Sequence, residues 1–297
     1  MADFSKQGMV LRVLSTGLAC LLVLAAGCSG GGGEELPEGN LFLSDWFLNI
    51  AHRGGKRVAP EETIPAYQDA VAVGVDVLEM DLHATSDGVI VLMHDSDVER
   101  TTDGEGAIKE MTFAELRELD AGYDFTTDGG ETYPYRGQGV VVPSLEEVLD
   151  AYGDLYFIME LKQASPSIVD AVLELLERKG VTERVILASA TDGTIEEVRE
   201  KKPEVFTSLA LGEMITLITM EPEDLENYSP PARFLHPPSE SVEPEFMELA
   251  RRFDFKVHAW TVNDRETMER LINLGVEGIM TDDPAGLEEV IDDLGLH

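Results

Sequence analysis

The stretch "FLNIAHRGGKRVAPEETIPAYQDAVAVGVDVLEMDLH", residues 47–83, contains one complete folding unit. An apolar run, Phe47–His52, has the length of a buried strand and breaks off at His52-Arg53-Gly54. A loop punctuated by glycine and proline follows, with the carboxylate pair Glu61-Glu62 at the mouth of a helix. A second apolar run, Val75–Leu82, comes next. Strand, helix and strand in this order build parallel sheets, because parallel neighbours need a crossover of a dozen residues or more. The first strand ends on a histidine and an arginine, the side chains best suited to handling a phosphate.

The same alternation continues outward. Further strand candidates are Leu155–Lys162, Arg184–Ser189, Val205–Leu211, Arg233–His236, Lys256–Thr261 and Gly278–Thr281. Amphipathic helical stretches lie between them, such as "SPSIVDAVLELLERKG", "TDGTIEEVREKK", "EPEFMELARRF" and "DRETMERLINLG". Each opens near Ser, Thr, Asp or Pro, and two end on Gly180 or Gly275. The pattern predicts an α/β chain folded as a (β/α)8 TIM barrel. An open doubly wound sheet is the alternative, but no glycine-rich dinucleotide turn follows the first strand. "VIVLMHD", Val89–Asp95, comes too soon after Val75–Leu82 for a crossover. With Asp87-Gly88 between them it predicts an antiparallel hairpin after strand 2, placing His94 opposite Glu79 or Asp81. Residues about 101–143, rich in Gly, Thr and acidic groups, read as a small insertion over the barrel mouth, with a short helix at Thr112–Leu119.

Across the 297 residues, 58 acidic side chains face 22 basic ones, a formal net charge of -36. Such a surface repels nucleic acid and anionic lipid headgroups, which need clustered Lys and Arg. It is most simply a solvated, salt-tolerant surface. Near the N-terminus, Lys6 and Arg12 precede an apolar stretch, Val13–Ala26, too short to span a bilayer comfortably. It ends in "LAAGC" and resembles a bacterial lipoprotein signal, in which Cys28 is diacylated and becomes the new N-terminus. Two acyl chains anchor stably where one does not. The expected division is a signal peptide over 1–27, the lipidated Cys28 with a flexible tether over 28–45, and the folded domain over 46–297. Cys20 leaves with the signal, so the mature domain has no disulfide. The expected location is the bacterial cell envelope, exported and held to a membrane by the lipid anchor, with no protein partner evident.

Barrel folds place their active sites at the carboxyl ends of the strands. "LEMDLH" puts Glu79 and Asp81 two apart, hence on one face, and "FIMELK" does the same for Glu160 and Lys162. Taken singly, each pair has a plain explanation as a solvated face or an ion pair, and His52 as a hydrogen-bonded strand end. Together, several carboxylates at neighbouring strand ends are costly to bury. A hard cation with oxygen ligands, Ca2+ or Mg2+, resolves that cost.

The run from "HRGGKRVAPEETIPAY" through "VLEMDLHATSDGVIVLMHDSDVERTTDGEG", with "FIMELK", "HAWTVND" and "GVEGIMTDDP" in the same order, resembles the glycerophosphodiester phosphodiesterase family. The resemblance covers roughly residues 47–294. It implies a barrel enzyme that hydrolyses glycerophosphodiesters to sn-glycerol 3-phosphate and an alcohol with a divalent metal. Carried over by motif, Glu79, Asp81 and Glu160 are the metal ligands, and His52 and His94 the acid–base pair. Arg53 and Lys162 contact the phosphate, Trp260 lines the site, and Glu61 supports it. The chain departs from the family at Glu62, where Asn is common, and a carboxylate there accepts hydrogen bonds but donates none. A relative acting on lysophospholipids or sphingolipid, with a wider mouth, is the alternative enzyme. A non-catalytic surface-binding lipoprotein is the alternative outside enzymes. His83 reads as structural and His258 as barrel interior. His236, ending a strand before Pro237-Pro238, stands within reach of a substrate.

Overall fold

The computed structural model describes residues 39–297. The expected signal, Cys28 and the first part of the expected tether, residues 28–38, lie outside the described residues. The strands are β1 Leu48–Ala51, β2 Val77–Ala84, β3 Ile90–Leu92, β4 Tyr156–Leu161, β5 Val185–Ala188, β6 Phe206–Thr207, β7 Phe234–Leu235, β8 Lys256–Ala259 and β9 Gly278–Thr281. The helices are α1 Ile64–Val73, α2 Phe113–Leu116, α3 Leu145–Tyr152, α4 Val169–Lys179, α5 Asp192–Lys201, α6 Leu211–Thr219, α7 Pro244–Arg252, α8 Arg265–Leu274 and α9 Pro284–Leu294. The sheet runs β6-β5-β4-β2-β1-β9-β8-β7, with parallel neighbours throughout. Its two ends meet where Ser208 bridges Phe234 and the Leu209 N–H donates to the Phe234 carbonyl at 2.9 Å. This is a nearly closed eight-stranded parallel barrel, as the alternation predicts.

The hairpin is also present, with β3 antiparallel to β2. Its register pairs Leu82 with Leu92 and Ala84 with Ile90, and the Met93 N–H donates to the Asp81 carbonyl. His94 therefore stands level with Met80, between the expected partners Glu79 and Asp81, because the turn is symmetric about Asp87. Continued pleating would carry His94 to the face opposite the two carboxylates. Instead β3 stops at Leu92, and a bend brings His94 into the cavity they line.

Residues alternate across each strand, and the inward set changes character along the barrel axis. Toward the amino ends it is apolar: Leu48, Ile50, Val77, Ile158, Ile186, Phe234 and Met280 form one buried cluster. Leu41 and Phe42 join it, with Phe42 edge-on to Tyr156 and Phe234. The packed domain thus begins about five residues before the expected boundary at 46, because Leu41-Phe42 supplies apolar surface that the barrel floor buries. Two positions further along the strands, the same inward set becomes Glu79, Glu160 and His236, and Asp81 follows two beyond Glu79. The outward residues Leu78, Met80, Leu82, Phe157, Met159 and Leu161 pack beneath the helices.

Residues 101–143 differ from the expected mouth cover. Val98, Ile108, Leu116, Val140 and Val142 build a small core with Val91 and Met93, and none of residues 101–143 lines the cavity. Thr112 caps α2 with Glu115, inside the expected short helix. The expected strand Val205–Leu211 is cut to two residues, and Leu211 instead starts α6. There the Glu213 carboxylate accepts from the Ala210 N–H at 2.9 Å.

Candidate active site

A cavity of about 400 Å³ opens at the carboxyl ends of the strands, lined by groups that include His52, Arg53, Glu79, Asp81, His94 and Glu160. Lys162, His236 and Trp260 line it too. All the expected catalytic, metal-binding and substrate-binding residues of the barrel are therefore brought to one cavity.

One side of it is set by the turn after β1. Arg53 adopts a left-handed conformation (φ 51°, ψ 35°), which aims its N–H at Glu79 Oε2, 2.8 Å away. Its guanidinium reaches Glu61 Oε1 at 3.0 Å and stands 3.1 Å from Asp81 Oδ2. Gly54 follows at φ +81°, where a Cβ would lie 2.9 Å from that of Ala66, so only glycine lets α1 pack this close. Burial opposes the charge on Arg53, but Asp81 and Glu61 outweigh it and raise the pKa. On the other side, Lys162 Nζ lies 2.7 Å from Glu160 Oε2 and 3.1 Å from Asp81 Oδ1. Its burial is likewise outweighed by Asp81 and Glu160, and its pKa is raised.

Each histidine is oriented by an aspartate. His52 Nδ1 lies 2.6 Å from Asp282 Oδ1 at the end of β9, and Asn263 donates to the other oxygen of Asp282 at 2.8 Å. His94 Nδ1 lies 2.7 Å from Asp95 Oδ1. With Nδ1 engaged on both rings, Nε2 is the nitrogen left for chemistry. Burial lowers the His52 pKa below 6.5, and the Asp282 bond only partly offsets it. Arg100 ties the two sides together by donating to Asp95 and, in bidentate fashion, to Glu61. Burial would raise the Glu61 pKa, but Arg100 and Arg53 hold it down at about 2. Glu61 thus bridges Arg53 and Arg100 at the edge of the cavity. The expectations did not include Asp282, Asp95, Arg100 or Asn263. All four lie within the family-like motifs, in "HDSDVER", "HAWTVND" and "TDDP", but only the fold shows which histidine each aspartate serves. His83 is buried, with Nε2 3.4 Å from the His94 carbonyl, a structural placement.

Glu62 resolves the departure at that position. It is buried at φ 58°, and its Oε1 accepts from the Asp81 N–H at 2.8 Å while Oε2 accepts from the Tyr67 hydroxyl at 2.5 Å. Both bonds are ones a carboxylate can take. Burial, then the neighbouring charges of Asp81 and Glu79, push the Glu62 pKa well up. Burial and Asp81 do the same to Glu79.

The carboxylates border one space without meeting at a point. Asp81 turns to Arg53 and Lys162, Glu160 to Lys162, and Glu79 to the Arg53 backbone. Among the described residues no three such groups are gathered as an ion requires. The donor set nevertheless fits a hard cation. Asp81 Oδ2 is buried and makes no hydrogen bond, only the 3.1 Å ion-pair contact with Arg53 Nε, every carboxylate donor is an oxygen, and the buried carboxylates outnumber Arg53 and Lys162.

The sequence profile described as the glycerophosphoryl diester phosphodiesterase family matches residues 52–286. A glycerophosphodiester phosphodiesterase from Caldanaerobacter subterraneus is 35% identical over 82% of this chain and 97% of its own. A Silicibacter pomeroyi structure assigned to the same activity superposes with a TM-score of 0.71 at 31% identity, covering 83% of this chain and 93% of that one. An Oleispira antarctica phosphodiesterase, solved with its product sn-glycerol 3-phosphate, gives a TM-score of 0.68 at 25% identity over 82% of this chain and 96% of its own.

Proposed function

The chain belongs to the glycerophosphoryl diester phosphodiesterase family, and from that premise we propose that it releases sn-glycerol 3-phosphate with two histidines and one divalent cation. It is a glycerophosphodiester phosphodiesterase, a phosphoric diester hydrolase. Glu79, Asp81 and Glu160, the carboxylates that line the cavity, would hold Ca2+ or Mg2+. When bound, the cation supplies charge neutralisation at the phosphate.

The chain's own groups account for the rest. Arg53 and Lys162 bind the non-bridging oxygens and, with the cation's charge added, would offset carboxylates that otherwise repel the substrate. His52, kept neutral by burial, takes the proton of the attacking hydroxyl, whether from water or from the substrate's neighbouring carbon. His94, on the hairpin side, gives its Nε2 proton to the leaving oxygen. Asp282 and Asp95 hold the two rings with Nε2 toward the cavity. The observation that carries this reading is the pair of Nδ1–aspartate bonds, at 2.6 and 2.7 Å, on histidines lining one cavity. Assay of glycerol 3-phosphate release from glycerophosphocholine, with and without a chelator, tests it. Chelator-insensitive turnover would remove the cation, and undetectable turnover with metal supplied would remove the reading.

The N-terminal pattern supports export with lipidation at Cys28, and hence work at the cell envelope on water-soluble headgroup diesters. Mass analysis of membrane-extracted protein for a diacylated Cys28 tests that part. Among the described residues no helix is long and apolar enough to cross a membrane.

One observation favours a second reading, a lipid-tailed substrate. Leu211, Ile215 and Ile218 form an exposed stripe on α6, and Leu211 and Met214 continue it into the cavity wall. An apolar lip at the mouth suits an acyl chain.

A further inference from the structure

We propose that His236 recognises a hydroxyl of the substrate's glycerol, donating from Nδ1, and that His258 behind it fixes the tautomer that makes this possible. This rests on the phosphodiesterase reading above.

Three features lead there. The first is position. In the closed order of eight strands, β7 is four places from β2, so His236, just past the end of β7, faces Glu79 and Asp81 from across the barrel. A diester whose phosphate is held by Arg53 and Lys162 must extend its uncharged part toward that wall. Trp260, following β8, locks the wall by donating Nε1–H to the His236 carbonyl at 2.8 Å.

The second feature is the pairing of two imidazoles. The rings of His236 and His258 stack with centroids 5.3 Å apart, and His258 Nδ1 lies 3.3 Å from His236 Nε2. Burial lowers the pKa of His236 to about 3 and that of His258 well below its usual value. Two neutral rings share one proton in such a contact, so one must donate and the other accept.

The third feature decides which. His258 is fully buried, and its Nε2 has no hydrogen-bond partner. If His236 were the donor, His258 would carry its own proton on Nε2, a buried N–H with nothing to bond. If His258 donates from Nδ1, its Nε2 keeps only a lone pair. An unpaired buried N–H is the rarer and costlier arrangement. The proton of His236 then sits on Nδ1, which bonds no other group among the described residues. A neutral donor on the wall facing the anion site suits a hydroxyl, and its positive end disfavours a cationic headgroup. The glycerol hydroxyls are the feature all substrates of the proposed reaction share.

Calorimetric titration with Ca2+ present, comparing sn-glycerol 3-phosphate with n-propyl phosphate, tests the assignment. The second ligand is the same type of monoester without hydroxyls. The wild-type protein should prefer glycerol 3-phosphate by about tenfold or more, as expected for a site built around a hydroxyl. His236→Phe should erase that preference while changing propyl phosphate affinity less than about threefold. His236→Asn, whose amide N–H can stand in for Nδ1–H, should restore part of it. His258→Phe, checked for folding by its melting temperature, should lower the preference although it cannot touch the ligand. A wild-type protein without the preference, or a His236→Phe protein that keeps it, overturns the role of His236. Absence of glycerol 3-phosphate release from any diester would instead overturn the phosphodiesterase reading.

Discussion

His52 holds its Nδ1 2.6 Å from Asp282 Oδ1, a carboxylate 230 positions later in the chain. The contact exists because β1 and β9 are hydrogen-bonded neighbours, with Ala51 paired to Thr281, so each residue follows the end of its strand at the same level. Asp282 also accepts from Asn263 and faces Lys56. Asp282→Asn keeps the shape but offers an amide where a carboxylate held the Nδ1 proton, which favours the wrong tautomer. Turnover should fall by about 10²-fold or more, with little change in KM and a melting temperature close to wild type. Normal turnover in a folded Asp282→Asn protein would show that His52 needs no such partner.

The pH dependence follows from the same pair. The His52 pKa lies below 6.5 because burial outweighs the upward pull of Asp282. The neutral ring is the form that accepts a proton, so kcat/KM should hold at neutral pH and fall as pH drops through this lowered value. Removing the Asp282 charge removes the upward pull, so the acid limb should move to lower pH in Asp282→Asn. Stability has the same sign. Glu61, held at about 2 against an ordinary 4.5, contributes on the order of 3 kcal/mol. That contribution is present above pH 4.5 and lost as pH falls toward 2. Melting temperatures across this window should drop for the wild type and much less for Glu61→Gln.

Glu62 is the buried group whose substitution separates shape from charge. Glu62→Gln can still accept from the Asp81 N–H, its amide can donate to the Tyr67 oxygen, and it is neutral at every pH, as the raised pKa of Glu62 already favours. Its melting temperature should equal or exceed that of the wild type. Glu62→Ala strands the Asp81 N–H and the Tyr67 hydroxyl, at about 1–3 kcal/mol each, and should melt well below the wild type. Equal melting of the two variants would mean that these bonds contribute nothing.

How far the site could be read in advance depended on which interactions were local. Glu79 and Asp81, or Glu160 and Lys162, share a face because the pleat repeats every two residues, and the structure keeps both pairs together. The barrel was legible for the same reason, since buried parallel strands read as apolar runs separated by amphipathic helices. The partners of the histidines were not legible, because Asp282 meets His52 only through the seam of the closed sheet. The bend that turns His94 inward after Leu92 was equally hidden. The pleat alone would have pointed it away. The expected strand Val205–Leu211 ran into the start of α6, whose apolar residues are split, with Leu217 in the core and Leu211, Ile215 and Ile218 exposed, so no single buried stripe marked the helix.

Removal of the divalent cation gives a prediction with two readouts. The excess of buried carboxylates around Arg53 and Lys162 means that an added cation should stabilise the folded protein and not merely activate it. With calcium at about one hundred times its dissociation constant the gain is roughly 2.7 kcal/mol, and melting should shift upward by several degrees. The shift should vanish in Asp81→Asn, together with turnover. A melting temperature unaffected by either calcium or magnesium would count against Glu79, Asp81 and Glu160 as ligands.

The apolar lip on α6 yields a prediction that chooses between substrates. Leu211, Ile215 and Ile218 are 51%, 49% and 52% exposed. They lie at helical spacing along one side, and Leu211 also borders the cavity. Water-soluble diesters such as glycerophosphocholine make no use of such a stripe, whereas an acyl chain would bury against it at roughly 25 cal/mol per Å². Ile215→Ser with Ile218→Ser leaves the groups nearest the phosphate untouched. If the enzyme works on headgroup diesters, the double variant should hydrolyse glycerophosphocholine with unchanged kcat/KM, and lysophosphatidylcholine should be a poor substrate for both proteins. If the lip serves a lipid tail, wild-type turnover of lysophosphatidylcholine should match or exceed that of glycerophosphocholine. The double variant should then lose about tenfold in kcat/KM on the lysolipid alone. Parallel losses on both substrates would show instead that α6 shapes the cavity for every substrate and carries no information about the tail.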